Sequence, residues 1–227
     1  MKVVVFDLDD TLYDELTYVR SGFRAAARAL SPELKASEQE LFDRMWNVLM
    51  RDGRGKVFDE TVAHYRGRPV RRLVRRALSA YRGHAPDIAL AEDAEDALSR
   101  LEREGKPVYI VTDGNKLVQA RKIRALGLDR RVDGIYVTHR YGIRHAKPSP
   151  YCFLKIRDRE GAAPGDIVYV GDNPRKDFVG IKPLGFRTIR IRRGPWRDAK
   201  VPAEWEAEAV IGDLRELFDV FRRWKEG

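Results

Sequence analysis

Five short runs made almost entirely of β-branched and aromatic residues, KVVVFD, KPVYIVTD, DGIYVTH, DIVYVGD and FRTIRI, recur along the chain. From the second onward they alternate with segments of helical period. Strands that are apolar throughout must be covered on both faces, which an antiparallel sheet with one wet side does not provide. The pattern predicts an α/β fold in which a Rossmann-like parallel sheet is sandwiched by helices. Ligands of such sheets gather at the carboxyl ends of the strands, so the polar residues that close each run are the ones to examine.

The alternation is interrupted once. Residues 15–91 contain no convincing strand and are expected to form an all-helical insertion, leaving residues 1–14 and 92–227 as the Rossmann-like core. Leu41, Phe42, Met45, Trp46 and Leu49 make one amphipathic stripe, and Val70, Leu73, Val74, Ala77, Leu78 and Tyr81 make another. Gly53 and Gly55 separate helices here, and residues 67–69 start a new one. Opposite the second stripe lie Arg71, Arg72, Arg75 and Arg76, with Arg66 and Arg68 just before them. They read either as a solvated helix face or as charge that collects an anionic substrate. Arg20, Arg24 and Arg28 repeat at four-residue spacing, and Arg20 lies nearest the acids that open the chain. Near the C-terminus, irregular chain surrounds Trp196 and Trp205, and Asp213 is placed to cap a final helix with Leu214, Leu217, Phe218, Phe221 and Trp224 on one side.

No apolar run approaches the roughly 18 residues of a membrane span. Acids follow Met1 too soon for a secretory leader, so a cytoplasmic protein without membrane association is the default expectation. The single cysteine, Cys152, cannot form an intrachain disulfide and reads as a small buried hydrophobe. A formal net charge of +9 suits either nucleic acid or small anionic substrates, and charge alone does not choose between them. Arginine outnumbers lysine while Asn, Gln, Cys and Met are scarce, a balance that thermophilic chains share and GC-rich coding also produces.

The first run discharges into FDLDDTLYD, with Asp7, Asp9, Asp10 and Asp14 close together. Asp7 and Asp9 flank Leu8, so in extended chain their side chains leave on one side and a turn brings both to one small volume. Two carboxylates that close repel unless a cation lies between them or one holds a proton. Asp172 adds a third acid from another strand end, and a set of hard oxygen ligands without Cys or His clusters suits Mg²⁺ rather than zinc. Any one of these acids alone would more often be a turn or cap residue. Asp10 reads as serving the turn and Asp14 as a hinge or helix start. Lys147 precedes a helix that Ser149 is expected to cap, with Pro150 in its first turn.

Four segments at successive strand ends, DLDDT at 7–11, VYIVT ending at Thr112, Lys147 in KPSP, and GDNPRKD at 171–177, together resemble the motifs of the haloacid dehalogenase superfamily. The resemblance covers the whole chain, and its first and last motifs are specific. It implies that Asp7 is a nucleophile that becomes an aspartyl phosphate and that Asp9 protonates the leaving oxygen and later activates water. It implies that Thr112 and Lys147 hold the phosphoryl oxygens, helped by backbone N–H groups around Asp113 and Gly114. It also implies Mg²⁺ held by Asp7, Asp172 and the backbone carbonyl of Asp9, with Asp177 orienting the site from behind. The helical insertion falls where the family carries a C1-type cap, in which Arg20 would contact substrate; Tyr13 would be either a flap residue or core padding.

Dehalogenases lack the acid two positions after the nucleophile, because a halide leaves without protonation, so Asp9 favours phosphate chemistry. The implied activity is Mg²⁺-dependent hydrolysis of a small phosphomonoester by a monomer or homodimer. Two alternatives stand beside it: a phosphomutase, although Asp10 replaces the glycine usual there, and a basic nucleic-acid-binding protein on a hydrolase scaffold, although no nucleic-acid module is recognisable.

Overall fold

A computed structural model describes residues 1–226. Six strands, β1 (Val3–Phe6), β2 (Val108–Thr112), β3 (Gly134–Val137), β4 (Ile167–Gly171), β5 (Arg187–Ile191) and β6 (Ala209–Ile211), form one sheet in the order β3-β2-β1-β4-β5-β6. Every neighbouring pair is parallel, with Val5 opposite Tyr109 on one side and Tyr169 on the other. The order reverses direction at β1, which makes the carboxyl ends of β1 and β4 the switch point where open sheets of this kind bind ligands.

The helices are α1 (Glu15–Leu34), α2 (Glu38–Asp52), α3 (Val57–Arg66), α4 (Arg71–Gly83), α5 (Glu92–Arg103), α6 (Lys116–Ala125), α7 (Tyr151–Glu160) and α8 (Leu217–Glu226). Two compact units result: Met1–Glu15 with the chain from Ala89 onward, and Leu16–Ile88. Among the described residues no helix is long and apolar enough to cross a membrane.

In the sheet unit, alternation along the strands sends Val3, Val5, Tyr109, Val111, Ile167 and Tyr169 to one face, where they pack on Cys152, Phe153 and Ile156 of α7. Val4, Phe6, Ile110, Val168 and Val170 take the other face and are equally buried. Coverage of both faces explains the unbroken apolar runs. β6 is a strand that sequence periodicity does not reveal. Its three residues fall between Glu208 and Gly212, too short for a pattern of period two to register. Arg190, a charged residue inside β5, is 2% exposed; its guanidinium donates to Glu206 at 2.7 Å and to the carbonyl of Ala199 at 3.0 Å, tying down the irregular chain before β6. Asp213 and Glu216 form a reciprocal cap that leads into α8. Ser149 does not cap α7: Pro150 occupies the cap position, and the Ser149 hydroxyl only accepts from the Tyr151 N–H at 3.4 Å.

The helical unit has its own core, in which Val19, Phe23 and Leu30 of α1 meet Leu41, Met45 and Val48 of α2 and Leu73 and Ala77 of α4. A capping box of Ser37 and Glu40 starts α2. Phe23 stands edge-on to Trp46 and Phe58. The basic face of α4 is partly neutralised within the unit: Arg72 and Arg76 both pair with the Glu33 carboxylate, and Arg66 donates to the Glu33 carbonyl.

Candidate active site

The site begins where β1 stops. The Asp7 N–H still donates to the Val170 carbonyl at 2.8 Å, extending the pairing of β1 with β4 by one residue. The chain then turns: Thr11 and Leu12 N–H groups return to the Leu8 carbonyl, and Asp10 takes a left-handed backbone with φ of 54°. Asp tolerates that conformation better than most residues. The Asp10 carboxylate accepts the Glu15 N–H at 3.0 Å, the first donor of α1, so Asp10 serves the turn and the helix start together.

Lys147 is the centre of charge. Its ammonium is buried and lies 2.9 Å from Asp7, 2.8 Å from Asp177 and 2.8 Å from the Tyr169 hydroxyl, so all three of its protons are engaged. Burial alone would pull this lysine down, but Asp177 and Asp7 outweigh it and hold the ammonium well above the ordinary lysine range. Two close backbone approaches fix the geometry. A Cβ on Gly180 would lie 1.7 Å from the Pro148 carbonyl oxygen, and one on Gly171 would lie 2.5 Å from an Asp177 carboxylate oxygen. Only glycine lets the Lys147 loop come so near the turn that follows Asp177, and Asp177 so near the end of β4.

Asp172 follows β4. Its carboxylate, with those of Asp7 and Asp177, offers oxygens that all lie within 4.8 Å of one another, and all three residues are buried. Burial, then the charges of Asp7 and Asp177, push the Asp172 carboxyl up to about 9. Asp7 is raised to about 6, by burial first and against the pull of Lys147. The Asp177 carboxylate also accepts the Asn173 N–H at 2.8 Å, which shapes the 171–177 turn.

At the end of β2, Thr112 is 1% exposed, and its hydroxyl oxygen accepts from Gln119 at 2.7 Å. Asp113 turns its carboxylate away to Thr138 at 2.7 Å and to the Lys147 N–H at 3.1 Å, with Lys176 at 3.5 Å; burial raises it, but Lys147 and Thr138 leave it below the usual carboxylate range. Gly114 has a φ of 127°, and Asn115 caps α6 by accepting the Leu117 and Val118 N–H groups.

Asp9 does not join the carboxylates around Lys147. One of its oxygens accepts the Tyr13 hydroxyl and the Lys122 ammonium, the latter at 2.6 Å, and the other accepts Gln119 at 3.0 Å. Burial would raise Asp9, yet Lys122, with the hydrogen bonds from Tyr13 and Gln119, holds it below the usual range. Arg20 lies in the helical unit, with its guanidinium over the Trp46 ring at 5.2 Å. Arg24, Arg28 and Arg76 line an open groove in the same unit.

A family model for haloacid dehalogenase-like hydrolases matches residues 1–185. The chain belongs to the haloacid dehalogenase-like hydrolases. It is 31% identical to a glyceraldehyde 3-phosphate phosphatase of Methanopyrus kandleri, over 98% of this chain and 97% of that one. It is 27% identical to a phosphoserine phosphatase of Thermus thermophilus, over 96% and 98% of the two chains. The crystal structure of a HAD phosphatase from Thermococcus onnurineus superposes with a TM-score of 0.62 at 26% identity, covering 97% of this chain and 98% of that one.

Sequence reasoning passed over three residues of this hydrolase: Tyr169, Gln119 and Lys122. Tyr169 hides within an apolar strand. For the other two a signal exists, because Gln119, Lys122, Ile123 and Leu126 recur at the spacing of a buried helical stripe, and two of the four are polar.

The buried acids fit a divalent cation. Asp7, Asp172 and Asp177 share one buried ammonium, so without a second cation Asp172 keeps its proton up to about 9, and among the described residues no hydrogen bond reaches the Asp172 carboxylate. All three offer hard carboxylate oxygens, the donor type that Mg²⁺ prefers. The same groups set a pH dependence. Folding lifts Asp172 from 3.8 to about 9 and Asp7 from 3.8 to about 6, so the native chain binds protons more tightly than the unfolded one within that window. Stability without metal therefore decreases as pH rises. In chelator, the thermal midpoint of the hydrolase should fall between about pH 5 and about pH 9, and saturating Mg²⁺ should flatten the decline. A midpoint that rises with pH over that range would contradict the assignment.

Proposed function

We propose that this hydrolase is a Mg²⁺-dependent phosphatase that cleaves a small phosphomonoester through an aspartyl phosphate on Asp7. The observation that carries the reading is the buried set of Asp7, Lys147, Asp172 and Asp177 at the β1/β4 switch point, with Asp9 two residues beyond Asp7. Asp9 is an acid that halide departure does not need and alkoxide departure does.

A dianionic phosphate approaching an anionic carboxylate is repelled, so positive charge must already be present. Lys147, held protonated by Asp177 and Asp7, supplies one such charge and aligns the Asp7 oxygen. Mg²⁺, held by Asp7, Asp172 and the Asp9 carbonyl with Asp177 behind them, would neutralise a further part of the phosphoryl charge. The Thr112 hydroxyl and the N–H groups around Asp113 and Gly114 take the phosphoryl oxygens. Asp7 attacks phosphorus as the ester P–O bond breaks, and Asp9, which Lys122 favours as the anion and which must therefore first take up a proton from solvent, gives that proton to the departing oxygen. Asp9 then takes a proton from water as that water attacks phosphorus, which frees Asp7 and releases inorganic phosphate.

The helical insertion, residues 15–91, is assigned the part of a cap that selects the leaving group, with Arg20 among its contacts to substrate and core residues 1–14 and 92–227 carrying the chemistry. Pairing of Arg72 and Arg76 with Glu33 leaves less free charge on α4 for nucleic acid, which supports a small metabolite as substrate. A cytoplasmic setting agrees with such a substrate.

A panel of phosphorylated metabolites that includes glyceraldehyde 3-phosphate and phosphoserine, with p-nitrophenyl phosphate as the generic ester, tests the proposal. Phosphate release that needs Mg²⁺ and stops with EDTA is expected. No turnover of any ester, together with tight and steeply salt-dependent binding of long DNA or RNA, would overturn it.

A further inference from the structure

The chemistry assigned above asks Asp9 to deliver and then collect a proton, yet the side chains that grip Asp9 belong to no motif. Lys122 lies on α6, where a lysine would ordinarily extend into water, but its side chain is only 3% exposed. An ammonium removed from water is costly unless it is paired, and here it is paired twice: with Asp9 at 2.6 Å and with Glu15 at 3.5 Å. Gln119, one turn earlier on the same helix, has a single amide nitrogen that donates both to Asp9 at 3.0 Å and to the Thr112 hydroxyl oxygen at 2.7 Å. With Tyr13 on the same oxygen as Lys122, three donors fix a carboxylate that would otherwise rotate about two side-chain bonds.

From this arrangement we infer that Lys122 and Gln119 are positioning residues for the acid–base step: Lys122 sets the direction of the Asp9 carboxylate, and Gln119 ties it to Thr112. The inference rests on the phosphatase reading and deepens it. Because the Thr112 oxygen accepts from Gln119, its own proton is turned away from the amide; it now makes only a long bond to the Asp113 carbonyl at 3.5 Å, which a phosphoryl oxygen would replace. A displacement of α6 would therefore move the proton donor and the phosphoryl clamp together. Small misplacements of a reacting group carry large rate losses, so a helix that registers two such groups against each other acts directly on the rate.

The test compares kcat/KM for an alkyl phosphate and for p-nitrophenyl phosphate. This parameter covers the steps through transfer to Asp7, including protonation of the leaving oxygen, and a nitrophenolate needs that proton far less than an alkoxide does. Lys122→Met is expected to lose about tenfold or more on the alkyl ester and less than about threefold on the aryl ester. Lys122→Arg, which keeps the charge, should recover part of the difference. In an Asp9→Asn background, Lys122→Met should add less than about twofold. Loss by one common factor on both esters, or full multiplication with Asp9→Asn, would reduce Lys122 to a structural residue and overturn the inference. Should Lys122→Met fail to fold, Gln119→Met leaves the ion pair intact and must show the same selective loss. A parent enzyme inactive on every ester removes the phosphatase reading and this inference with it; an active parent with unselective variants removes the inference alone.

Discussion

Asp7→Asn is expected to lower phosphate release from every ester by at least about 10⁴-fold while leaving the chain folded. The carboxamide is nearly isosteric, so the side chain still fills its place beside Lys147. It cannot offer the anionic oxygen that the proposed attack on phosphorus requires. The fold should withstand the change, because burial already disfavours the Asp7 anion and raises its carboxyl to about 6. Above that pH a neutral side chain removes a charge that the site holds at a cost. Steady-state phosphate release together with a thermal melt in chelator at about pH 8 checks both halves. A variant that retains more than about a hundredth of parent activity would exclude Asp7 as nucleophile, since an amide has no means of forming the acyl phosphate.

Lys147→Met is expected to damage both stability and rate. Methionine fills similar volume but leaves Asp7 and Asp177 facing each other without the ammonium between them, and it strips the Tyr169 hydroxyl of a partner. Removing one member of a buried ion pair typically costs about 3–5 kcal/mol, because the remaining charge is left uncompensated. The cost should grow with pH. Without Lys147 the neighbouring carboxyls hold their protons to still higher pH in the native state, so stability is retained in acid and lost as they ionise. Urea midpoints at about pH 5.5 and about pH 8 should diverge more for the variant than for the parent. Turnover should fall by at least about 10³-fold, because the phosphoryl charge then meets an anionic site. Equal stability to the parent at the higher pH would refute the central role given to this ammonium.

The α/β architecture was legible because the strands of a covered parallel sheet are unusually simple to see: VVVF, VYIVT and IVYVG have no polar residue to interrupt them before the strand end. β6 escaped because three residues cannot display a period. The start of α7 was misread at Ser149: Ser149 followed by Pro150 is the usual order of cap and first turn, but Pro150 itself holds the cap position and no side chain caps the helix. The acids at the ends of β1 and β4 stood out as a group because topology, rather than local sequence, decides that those ends are adjacent. Lys122 and Gln119 were missed for the converse reason. Their partner Asp9 is more than a hundred residues away, and in the sequence they look like ordinary residues of a basic helix. What betrays them is their place in a stripe that burial reserves for apolar side chains.

The match to the family ends at residue 185, but the sheet does not. β5 pairs with β4 from Val168 opposite Arg187 to Gly171 opposite Arg190, and β6 continues beyond it. Arg193, further on, reaches back to the Thr11 carbonyl at 2.8 Å and to Asp93, which in turn accepts the Leu214 N–H at 2.8 Å. An expression fragment trimmed to the matched region would turn β4 into an edge strand, with the backbone donors and acceptors of a continuous apolar ribbon open to other chains. That is the recipe for edge-to-edge aggregation. It would also release the segment after Asp10 from its arginine anchor. The border of a recognisable family signature here runs through the middle of a cooperative folding unit, and fragments for crystallography or display should be cut by strand pairing instead.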